Sequence, residues 1–442
     1  MDTAKFIIEF LGVQDVELRE VKLFSNSSRA EIELKYMPQS SRCPDCRWKL
    51  GRLHDWRTIE VQGPPMGIFT HVVLFVSYPR SYCPKCRQNR SPKIPWRHPR
   101  CPSLSCGLAE VAGRMMEETT CEATGRLLLA NSRTLWELDQ YRMRVLSERL
   151  KLPSSLNLSF LSADEVHFRT IRAARGGGPF AKRWTPEFVT NLVSYGDGKV
   201  LSNAAGRGSE SLQKALSVLS PMQKLSVQQF AVDMHDPFIV VAKKECPNAQ
   251  ICVDRFHLAQ QVNKSFDEVR KEEFKKARES KILFLEGMLS PSRRFVLVER
   301  HRRRSKLETK MLTRLRLLND NIHSAMLLVE TFHLALDKRE LPDFRRALRD
   351  WYLLVRESGL KPFLKLSKTL RKYRPHIEAY IISRLTTAVS EGLNNKIKTL
   401  KRMAYGYSNR ESFKNKILQR CGYLNHYYIN TNDLFLRGSN AL

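Results

Sequence analysis

The sequence has 442 residues, with 75 lysines and arginines against 45 aspartates and glutamates, so its formal net charge is +30. Hydrophobic residues make up 42% and charged residues 27% of the chain. These proportions are ordinary for globular proteins and argue against a disordered basic tail as the source of the charge. At roughly 150 residues per domain, the length predicts about two to four domains and excludes a small disulfide-stapled scaffold. The folded surface is therefore predicted to bind a polyanion.

The start of the sequence and the lengths of its apolar stretches indicate where in the cell the protein is expected. Acids at Asp2 and Glu9 interrupt the segment in which a secretory signal needs an unbroken apolar run. The longest apolar stretches, such as residues 72–76, are of strand length and far shorter than the roughly 18 to 20 residues of a membrane span. The sequence thus predicts a cytoplasmic protein without a membrane partner. Its polyanion is then predicted to be intracellular nucleic acid.

The cysteines include two Cys-Pro-x-Cys pairs, and in a reducing compartment such pairs favour metal over cystine. They are Cys43, Cys46, Cys83 and Cys86. Two such turns complete a tetrahedral, structural zinc site with four thiolates. Residues 56–62 and 68–78 alternate like strands, which predicts a zinc ribbon with its cysteine turns at hairpin tips. Free buried cysteines are the alternative. Cys101 and Cys106 are predicted to be unliganded because four thiolates already fill the site.

Helical spacing follows the zinc ribbon, from residue 103 to about 150. Residues 122–129 and a second segment from Ser132 are typical of a helix, a short turn and a second helix. With Ser132 as the N-cap, Arg133 and Thr134 lie near the start of a recognition helix, where base edges are usually reached. The pattern predicts a helix-turn-helix that binds DNA. A plain helical hairpin remains the alternative.

After residue 155 the pattern changes to apolar strands separated by turns and helices. Strands are predicted at residues 158–168, 188–195, 199–205, 227–233 and 250–254, and helices at 210–219 and 237–246. The run Gly196-Asp197-Gly198 is a tight hairpin turn between the second and third strands. Three hairpin-connected strands followed by alternating helices and strands form a mixed α/β sheet, in the order of the ribonuclease H-like fold.

Two acids occupy particular places in this order. Asp164 lies in the first strand and Asp233 ends the fourth, at the carboxyl edge where open α/β sheets build their sites. If these strands are adjacent, their carboxylates meet. Unneutralised carboxylates repel each other, which favours hard cations such as Mg²⁺ or Mn²⁺ between them. The alternative is that Asp233 caps the next helix and Asp164 begins a loop.

A third acid lies far downstream. If Glu391 opens a helix, Asn395, Lys398 and Arg402 share its face. A carboxylate, an amide and two cations on one stripe suit a metal ligand beside a phosphate backbone. A solvated basic helix is the alternative.

Four nearby residues are ambiguous. By position, Asp254 at the end of the fifth strand rivals Glu391 as third metal ligand, or it is a structural cap. Glu165 alternates with Asp164 and is predicted to pack or to form a salt bridge on the other side. His235 and His257 could contact phosphate or water, but are more typical of hydrogen-bonded structural histidines.

Several blocks of this sequence resemble the ISL-three group of bacterial insertion-sequence transposases. They are Ser-Ala-Asp-Glu at 162–165, Val-Asp-Met at 232–234, Val-Asp-Arg-Phe-His at 253–257, and the block from Ser390 through Glu-Gly-Leu-Asn-Asn-Lys to Tyr-Gly-Tyr at 405–407. The resemblance extends over nearly the whole chain, because that group also places a zinc ribbon and a helix-turn-helix before its catalytic domain.

The resemblance implies an Asp-Asp-Glu active site at Asp164, Asp233 and Glu391 that holds two Mg²⁺ or Mn²⁺ ions, besides one structural zinc. It also implies a multidomain α/β protein whose ribonuclease H-like domain contains an all-α insertion. The predicted regions are a zinc ribbon at 1–100, a helix-turn-helix at 101–152 and a catalytic domain at 153–442, with the insertion at about 258–384. The insertion carries a strongly basic stretch, from Arg293 to Lys310.

The implied reaction is cleavage of insertion-sequence ends by water, followed by attack of the released 3′-hydroxyl on target DNA. Lys398, Lys401 and Arg402 are the expected phosphate contacts. The implied partners are double-stranded DNA, both terminal inverted repeats and target, and a second copy of the chain, in the nucleoid of a bacterial cytoplasm. Two other functions remain open: a non-catalytic DNA-binding regulator and a purely hydrolytic metal-dependent nuclease.

Overall fold

The computed structural model describes residues 3–40, 42–148, 152–153, 155–174, 182–290, 305–384 and 388–424. Contacts divide the chain into two compact units, one of Met1–Leu152 with Thr399–Leu442 and one of Pro153–Lys398. This division groups the end of the chain with its start, whereas the sequence placed residues 153–442 in one domain. The roles assigned to the three predicted regions stay predictions. None of the described helices is both long and apolar enough to cross a bilayer.

The first unit begins with a helix and a sheet of five strands. They are α1 (Thr3–Leu11), β1 (Val16–Phe24), β2 (Arg29–Tyr36), β3 (Leu53–Gly63), β4 (His71–Cys83) and β5 (Gln88–Arg90). The strand order is β1-β2-β4-β3, with β5 paired to β4, and β2 runs parallel to β4 while the other pairs are antiparallel. Ile32, Val61 and Leu74 lie in its core beside Leu11 and Trp96. The predicted strand at 56–62 lies within β3, and the predicted strand at 68–78 overlaps β4, which begins three residues later than predicted.

Three helices follow the sheet: α2 (Cys106–Glu118), α3 (Cys121–Leu128) and α4 (Ser132–Glu148). Leu108, Leu128 and Leu135 belong to their shared core. A Cβ on Gly125 in α3 would lie 2.8 Å from the carbonyl oxygen of Ala130, so the close approach of the following turn to α3 requires glycine at this position. The helix, turn and helix of the sequence prediction are thus present.

The N-cap of α4 is Asn131, one residue before the predicted Ser132. The Asn131 side-chain oxygen accepts hydrogen bonds from the backbone N–H groups of Arg133 at 2.9 Å and Thr134 at 3.3 Å. Asparagine and serine are equally good caps, so composition alone could not decide between neighbouring positions. The correction leaves Arg133 and Thr134 in the first turn of α4.

The second unit is built on a mixed sheet. Its strands are β6 (Phe160–Ala174), β7 (Lys182–Ser194), β8 (Lys199–Ala205), β9 (Gln229–Val232) and β10 (Gln250–Val253), and its first helices are α5 (Ser209–Leu216), α6 (Pro221–Leu225) and α7 (Asp236–Glu245). The order is β10-β9-β6-β7-β8. The pairs β6–β7 and β7–β8 are antiparallel, and β6–β9 and β9–β10 are parallel. All five predicted strands are present. The β6–β7 hairpin runs beyond its predicted ends, where polar residues break the apolar pattern.

Helices make up the described remainder of this unit. They are α8 (Arg255–Glu279), α9 (Leu283–Leu289), α10 (Lys306–Leu318), α11 (Asp320–Leu336), α12 (Leu341–Ser358), α13 (Lys361–Lys372), α14 (Arg374–Ser383) and α15 (Ala388–Met403), the last of which crosses the boundary between the units. Helix α8 packs on α9, α11 and α13, and α14 packs on β10. Buried Glu273 on α8 accepts hydrogen bonds from the amides of Asn319 at 2.8 Å and Asn321 at 2.9 Å, which fixes the start of α11.

The basic stretch predicted in the insertion lies mostly outside the described residues. Its members Arg293, Arg294, Arg300, Arg302, Arg303 and Arg304 are among those not described, and Lys306 and Lys310 belong to α10.

A final helix, α16 (Arg410–Cys421), belongs to the first unit and packs on α2 and α4. The Lys416 ammonium donates to both carboxylate oxygens of Asp139, at 3.1 and 3.3 Å, and to the carbonyl of Met116 at 2.9 Å. Asp139 is 3% exposed and Lys416 9%. Burial raises the pKa of Asp139, and the Lys416 charge opposes that rise. These contacts join α16 to α2 and α4.

Loss of the Lys416 charge should destabilise the first unit, because it leaves the Asp139 carboxylate buried without its cation. For Lys416→Met we expect a loss of about 3–5 kcal/mol in the free energy of unfolding. Lys414→Met is the matched control: its partner Glu411 is 66% exposed, and such pairs contribute about 0–1 kcal/mol. Urea unfolding, with hydrogen exchange of α2 and α4, measures both. Equal losses in the two variants would contradict the prediction.

Candidate active site and metal centre

Asp164 and Asp233 lie on neighbouring parallel strands. In the β6–β9 pair, Ser162 is opposite Ala231, so two residues further on Asp164 is level with Asp233, which directly follows β9. The strands are adjacent, as the sequence predicted, and both acids lie at the carboxyl edge of the parallel part of the sheet.

The environment of Asp164 disfavours an isolated negative charge. Burial raises the pKa of Asp164, and the nearby carboxylates of Asp233 and Asp254 raise it further. The backbone N–H of Glu165, which donates to Asp164 at 2.7 Å, and the imidazole of His257 act in the opposite direction. A cation placed among these acids would relieve their repulsion.

Helix α15 is fixed to β6 by two side-chain contacts. The hydroxyls of Ser162 and Ser390 are 2.5 Å apart and buried. The Asn394 amide donates to the second oxygen of Asp164 at 2.5 Å. Glu391 directly follows Ser390 and precedes Asn394 by three residues, so it shares this region of the helix surface.

Glu391 itself is exposed. Among the described residues, only the cysteines form a group of three or more candidate ligands whose donor atoms lie within 4.8 Å of one another. The structure therefore brings Asp164 and Asp233 to one sheet edge and anchors the helix of Glu391 there, without gathering the three carboxylates into so tight a cluster.

His257 lies between two acids. Its Nδ1 is 3.3 Å from an Asp233 oxygen and its Nε2 is 3.9 Å from an Asp254 oxygen. Asp254 is 2% exposed and caps α8 by accepting the N–H of Phe256 at 3.1 Å. The cap named as an alternative for Asp254 is thus present. Its place as a third metal ligand stays untested.

Glu165 has a cationic neighbour, as predicted. The Arg207 guanidinium is 4.0 Å from the Glu165 carboxylate, a long contact. Burial raises the pKa of Glu165 to about 7, and Arg207 only partly opposes this. His235 precedes α7 and stacks edge-on against Phe238, with ring centroids 5.2 Å apart, and burial lowers its pKa.

The four predicted cysteines form one cluster. The sulfur atoms of Cys43 and Cys86 are 3.9 Å apart, and those of Cys46 and Cys83 are 3.5 Å apart. A tetrahedral zinc ion with Zn–S bonds of about 2.3 Å requires sulfurs about 3.8 Å apart. The donor set and its spacing therefore fit zinc.

Both cysteine turns have the same backbone form. Arg47 and Arg87, each directly after the second cysteine of a pair, have positive φ angles of 62° and 52°. The backbone N–H of Cys86 points to the Cys83 sulfur at 3.4 Å. In the other turn, backbone N–H groups lower the pKa of Cys43 to about 6. Such donors stabilise thiolates, the form that binds metal. Buried Cys101 and Cys106 lie outside the cluster.

The predicted DNA contacts differ in exposure. The Arg133 side chain is 79% exposed, 3.2 Å from Glu137, and lies over the exposed Trp136 ring at 5.6 Å. Thr134 is half-buried. On α15, Lys398 and Arg402 are exposed along with Glu391, as expected for one outward stripe, whereas Lys401 is half-buried and desolvation lowers its pKa.

Comparison with known proteins identifies the family. A family model described as a transposase, of the ISL-three type, matches residues 180–417, more than half of the chain. The chain belongs to this transposase family. The match contains Asp233 and Glu391 and begins after Asp164.

Named relatives agree. The transposase for insertion sequence element IS1001 of Bordetella parapertussis is 25% identical over 420 residues, covering 92% of this chain and 94% of the relative. The transposase for insertion sequence element IS1557 of Mycobacterium tuberculosis is 22% identical over 241 residues, covering 50% of this chain and 53% of the relative. The protein is thus a DNA transposase, an enzyme that cleaves DNA and transfers strands.

Sequence reasoning missed the residues that fix α15 in this transposase. Counting in helical steps from Glu391 selected Asn395, which is exposed, whereas Asn394 contacts Asp164. The signal was present, because Asn394 is the asparagine of the Glu-Gly-Leu-Asn block. No signal indicated the pairing of Ser162 with Ser390, since serines are common at helix starts.

Removal of one cluster thiolate should release the metal. Purified Cys46→Ser protein is expected to hold much less than one zinc per chain, and its β4–β5 region to lose protection from hydrogen exchange, because three thiolates leave the tetrahedral site open. Cys121→Ser, another half-buried cysteine but outside the cluster, should keep the wild-type zinc content. Metal analysis by mass spectrometry measures both. Full zinc occupancy in Cys46→Ser would exclude the site.

Proposed function

We propose that this transposase cuts insertion-sequence ends and joins them to target DNA in one Asp-Asp-Glu site, formed by Asp164, Asp233 and Glu391. The observation that supports it most is the convergence on Asp164: the strand that leads to Asp233 is its neighbour, and the helix of Glu391 is bonded to its carboxylate. The strand that leads to Asp233 and the helix that carries Glu391 thus both contact β6.

The proposal includes a ribonuclease H-like fold for the second unit. The strand order supports this fold. The consecutive strands β6, β7 and β8 pair antiparallel, and β9 and β10 add to the sheet beside β6, parallel to it. In sequence, α5 and α6 lie between β8 and β9, and α7 lies between β9 and β10, as that fold requires. The helices from α8 to α14 would be the insertion before the last catalytic helix, α15.

The acids fit hard divalent cations, because all three proposed ligands are carboxylates and the Glu165 N–H and His257 only partly offset the effect of burial and repulsion at Asp164. Asp164 and Asp233 would bind the metal directly and Glu391 would complete the coordination. Two bound Mg²⁺ or Mn²⁺ ions would activate the attacking oxygen and stabilise the leaving oxygen at phosphorus.

The chain's own groups orient these ligands. One Asp164 oxygen accepts the Glu165 N–H and the other accepts the Asn394 amide, which fixes the carboxylate plane and leaves a lone-pair position on each oxygen. The Nδ1 atom of His257, 3.3 Å from an Asp233 oxygen, would orient the Asp233 carboxylate. In the first step water breaks a phosphodiester and a 3′-hydroxyl leaves. In the second, that hydroxyl replaces an oxygen of the target, so one phosphodiester is exchanged for another.

The remaining predicted residues would hold DNA. In this proposal Arg133 and Thr134 contact DNA from the first turn of α4, while Lys398, Lys401 and Arg402 contact phosphates beside Glu391. The zinc cluster would keep the ribbon folded. Two element ends must be held together, so we propose a homo-oligomer on DNA, at the nucleoid of a bacterial cell, where the substrate is.

Neutralisation of Asp164 tests the chemistry. We expect Asp164→Asn to abolish both cleavage and strand transfer while binding element-end DNA with wild-type affinity, because an amide is a poor ligand for Mg²⁺. The matched control is Asp197→Asn in the β7–β8 turn, whose Ser194 partner can also donate to an amide oxygen. Purified proteins are incubated with end-containing DNA and Mg²⁺, with and without a target plasmid.

The reactions with and without target plasmid distinguish strand joining from hydrolysis. Joined products support a transposase, whereas cutting without joining, even with target present, would favour a nuclease that only hydrolyses. Strand transfer by Asp164→Asn would refute the assigned site.

The third ligand can be tested by exchanging hard and soft donors. Glu391→Cys should be inactive with Mg²⁺ and regain part of its activity with Mn²⁺, because Mn²⁺ accepts a thiolate more readily. Asp254→Asn should retain activity in Mg²⁺, since asparagine caps a helix as well as aspartate does. Gel assays of strand transfer in both metals measure this. Activity of Glu391→Cys with Mg²⁺, together with inactivity of Asp254→Asn, would assign the third ligand to Asp254.

A further inference from the structure

Five arginines line one groove among α12, α13 and α14 of the second unit. The groove encloses about 560 Å³. Its polar lining consists of Arg345, Arg349, Tyr352, Arg356, Arg371 and Arg374. None of these residues belongs to the proposed catalytic site or to the basic stretch that the sequence singled out.

The groove follows from the pattern of α12. Residues 345, 349, 352 and 356 are spaced by four, three and four, so their side chains share one face of the helix. A separate stripe of the same helix, including Phe344, Trp351 and Val355, is buried. The arginines are therefore presented outward by a helix whose buried stripe holds it in the core.

The charge of the groove is only partly neutralised within the unit. Arg345 and Arg374 share one carboxylate, Glu378, with contacts of 2.6 and 2.7 Å. Arg349 and Arg356 are exposed and form no ion pair within the described part of the chain. Five guanidinium groups thus face a single carboxylate, and the remaining charge is available to an anion.

Arg371 of α13 extends the cationic lining beyond α12. The Arg371 guanidinium lies 4.7 Å from the centre of the Tyr352 ring, a stacked position that keeps it over the groove. The Tyr352 hydroxyl is enclosed and has no hydrogen-bond partner among the described residues. Because this hydroxyl is enclosed, an anion in the groove would be contacted by the guanidinium groups.

We propose that this groove binds the phosphodiester backbone of duplex DNA, with Arg349 and Arg356 as its main phosphate contacts. Guanidinium groups match the geometry of phosphate oxygens and bind them by paired hydrogen bonds. Seven helical residues separate the two arginines by about 10 Å along α12, which corresponds to about three base-pair steps of one strand. The choice of DNA over another polyanion rests on the proposed function, which supplies DNA to this enzyme.

The test removes the two unpaired charges from the full-length protein. For Arg349→Gln/Arg356→Gln, affinity for a 30-base-pair duplex without element-end sequence should fall about 10- to 50-fold at 0.1 M salt, and the slope of log affinity against log salt should decrease by about 1.8. The control Arg339→Gln/Arg346→Gln removes two exposed charges that do not line the groove, and should change the affinity less than threefold. Fluorescence anisotropy measures the binding.

A second variant separates charge from folding. Arg349→Lys/Arg356→Lys keeps both charges and should keep the wild-type salt slope, with affinity reduced only a few-fold. Wild-type affinity and slope in the glutamine variant, or equal losses in the variant and its control, would overturn the proposal. If the glutamine variant lost more affinity for polyglutamate or for an RNA duplex than for DNA, the proposal would also be overturned.

The same proteins distinguish this inference from the catalytic proposal. At saturating DNA the glutamine variant should still cut and join, whereas Asp164→Asn should bind but not react. If wild-type protein binds DNA through the groove without cutting it, the catalytic proposal fails and the groove stands. If Asp164→Asn behaves as expected and the glutamine variant binds normally, the groove fails alone.

Discussion

The second unit depends on the attachment of α15 to β6 by two polar contacts. The buried hydroxyl pair of Ser162 and Ser390 and the bond from Asn394 to Asp164 join residues 228 and 230 positions apart in sequence. If the helix shifted along or rotated about its axis, these groups would lose their hydrogen bonds to each other, and burial would limit their replacement by water. The contacts therefore define both the height and the rotation of α15. The position of Glu391 relative to the sheet follows from them.

Sequence patterns predicted the strands of the second unit because its central strands are buried on both faces. Val189, Leu192 and Val193 in β7, and Phe230 to Val232 in β9, are nearly inaccessible to solvent, so they appear as apolar runs. The two aspartates were found by a general property of α/β sheets, namely that sites form at carboxyl edges. The cysteines were found by spacing alone. In each case a local pattern carried the information.

Other features could not be predicted because they depend on the partner of a side chain. Strand β1 has no fully buried residue, so its alternation is too weak to separate it from a loop. The exposed arginines of α12 read as an ordinary solvated face, and only the arrangement of α13 and α14 turns them into a groove. The ion pair of α16 could not be predicted either, because nothing in the residues around Lys416 indicates that its partner is Asp139. Long-range pairing of this kind leaves no periodic trace in sequence.

The buried pair of Asp139 and Lys416 also has a consequence for biosynthesis. Helix α16 begins some 260 residues after α4 ends. At about 5–20 residues per second, the ribosome therefore needs roughly 13 to 50 s after completing α4 to supply the cation for Asp139. During that interval the Asp139 carboxylate lacks its cation, and the surface that buries Phe413 and Ile417 in the folded unit is not yet covered. Full maturation of the N-terminal unit must wait for a much later part of the same chain.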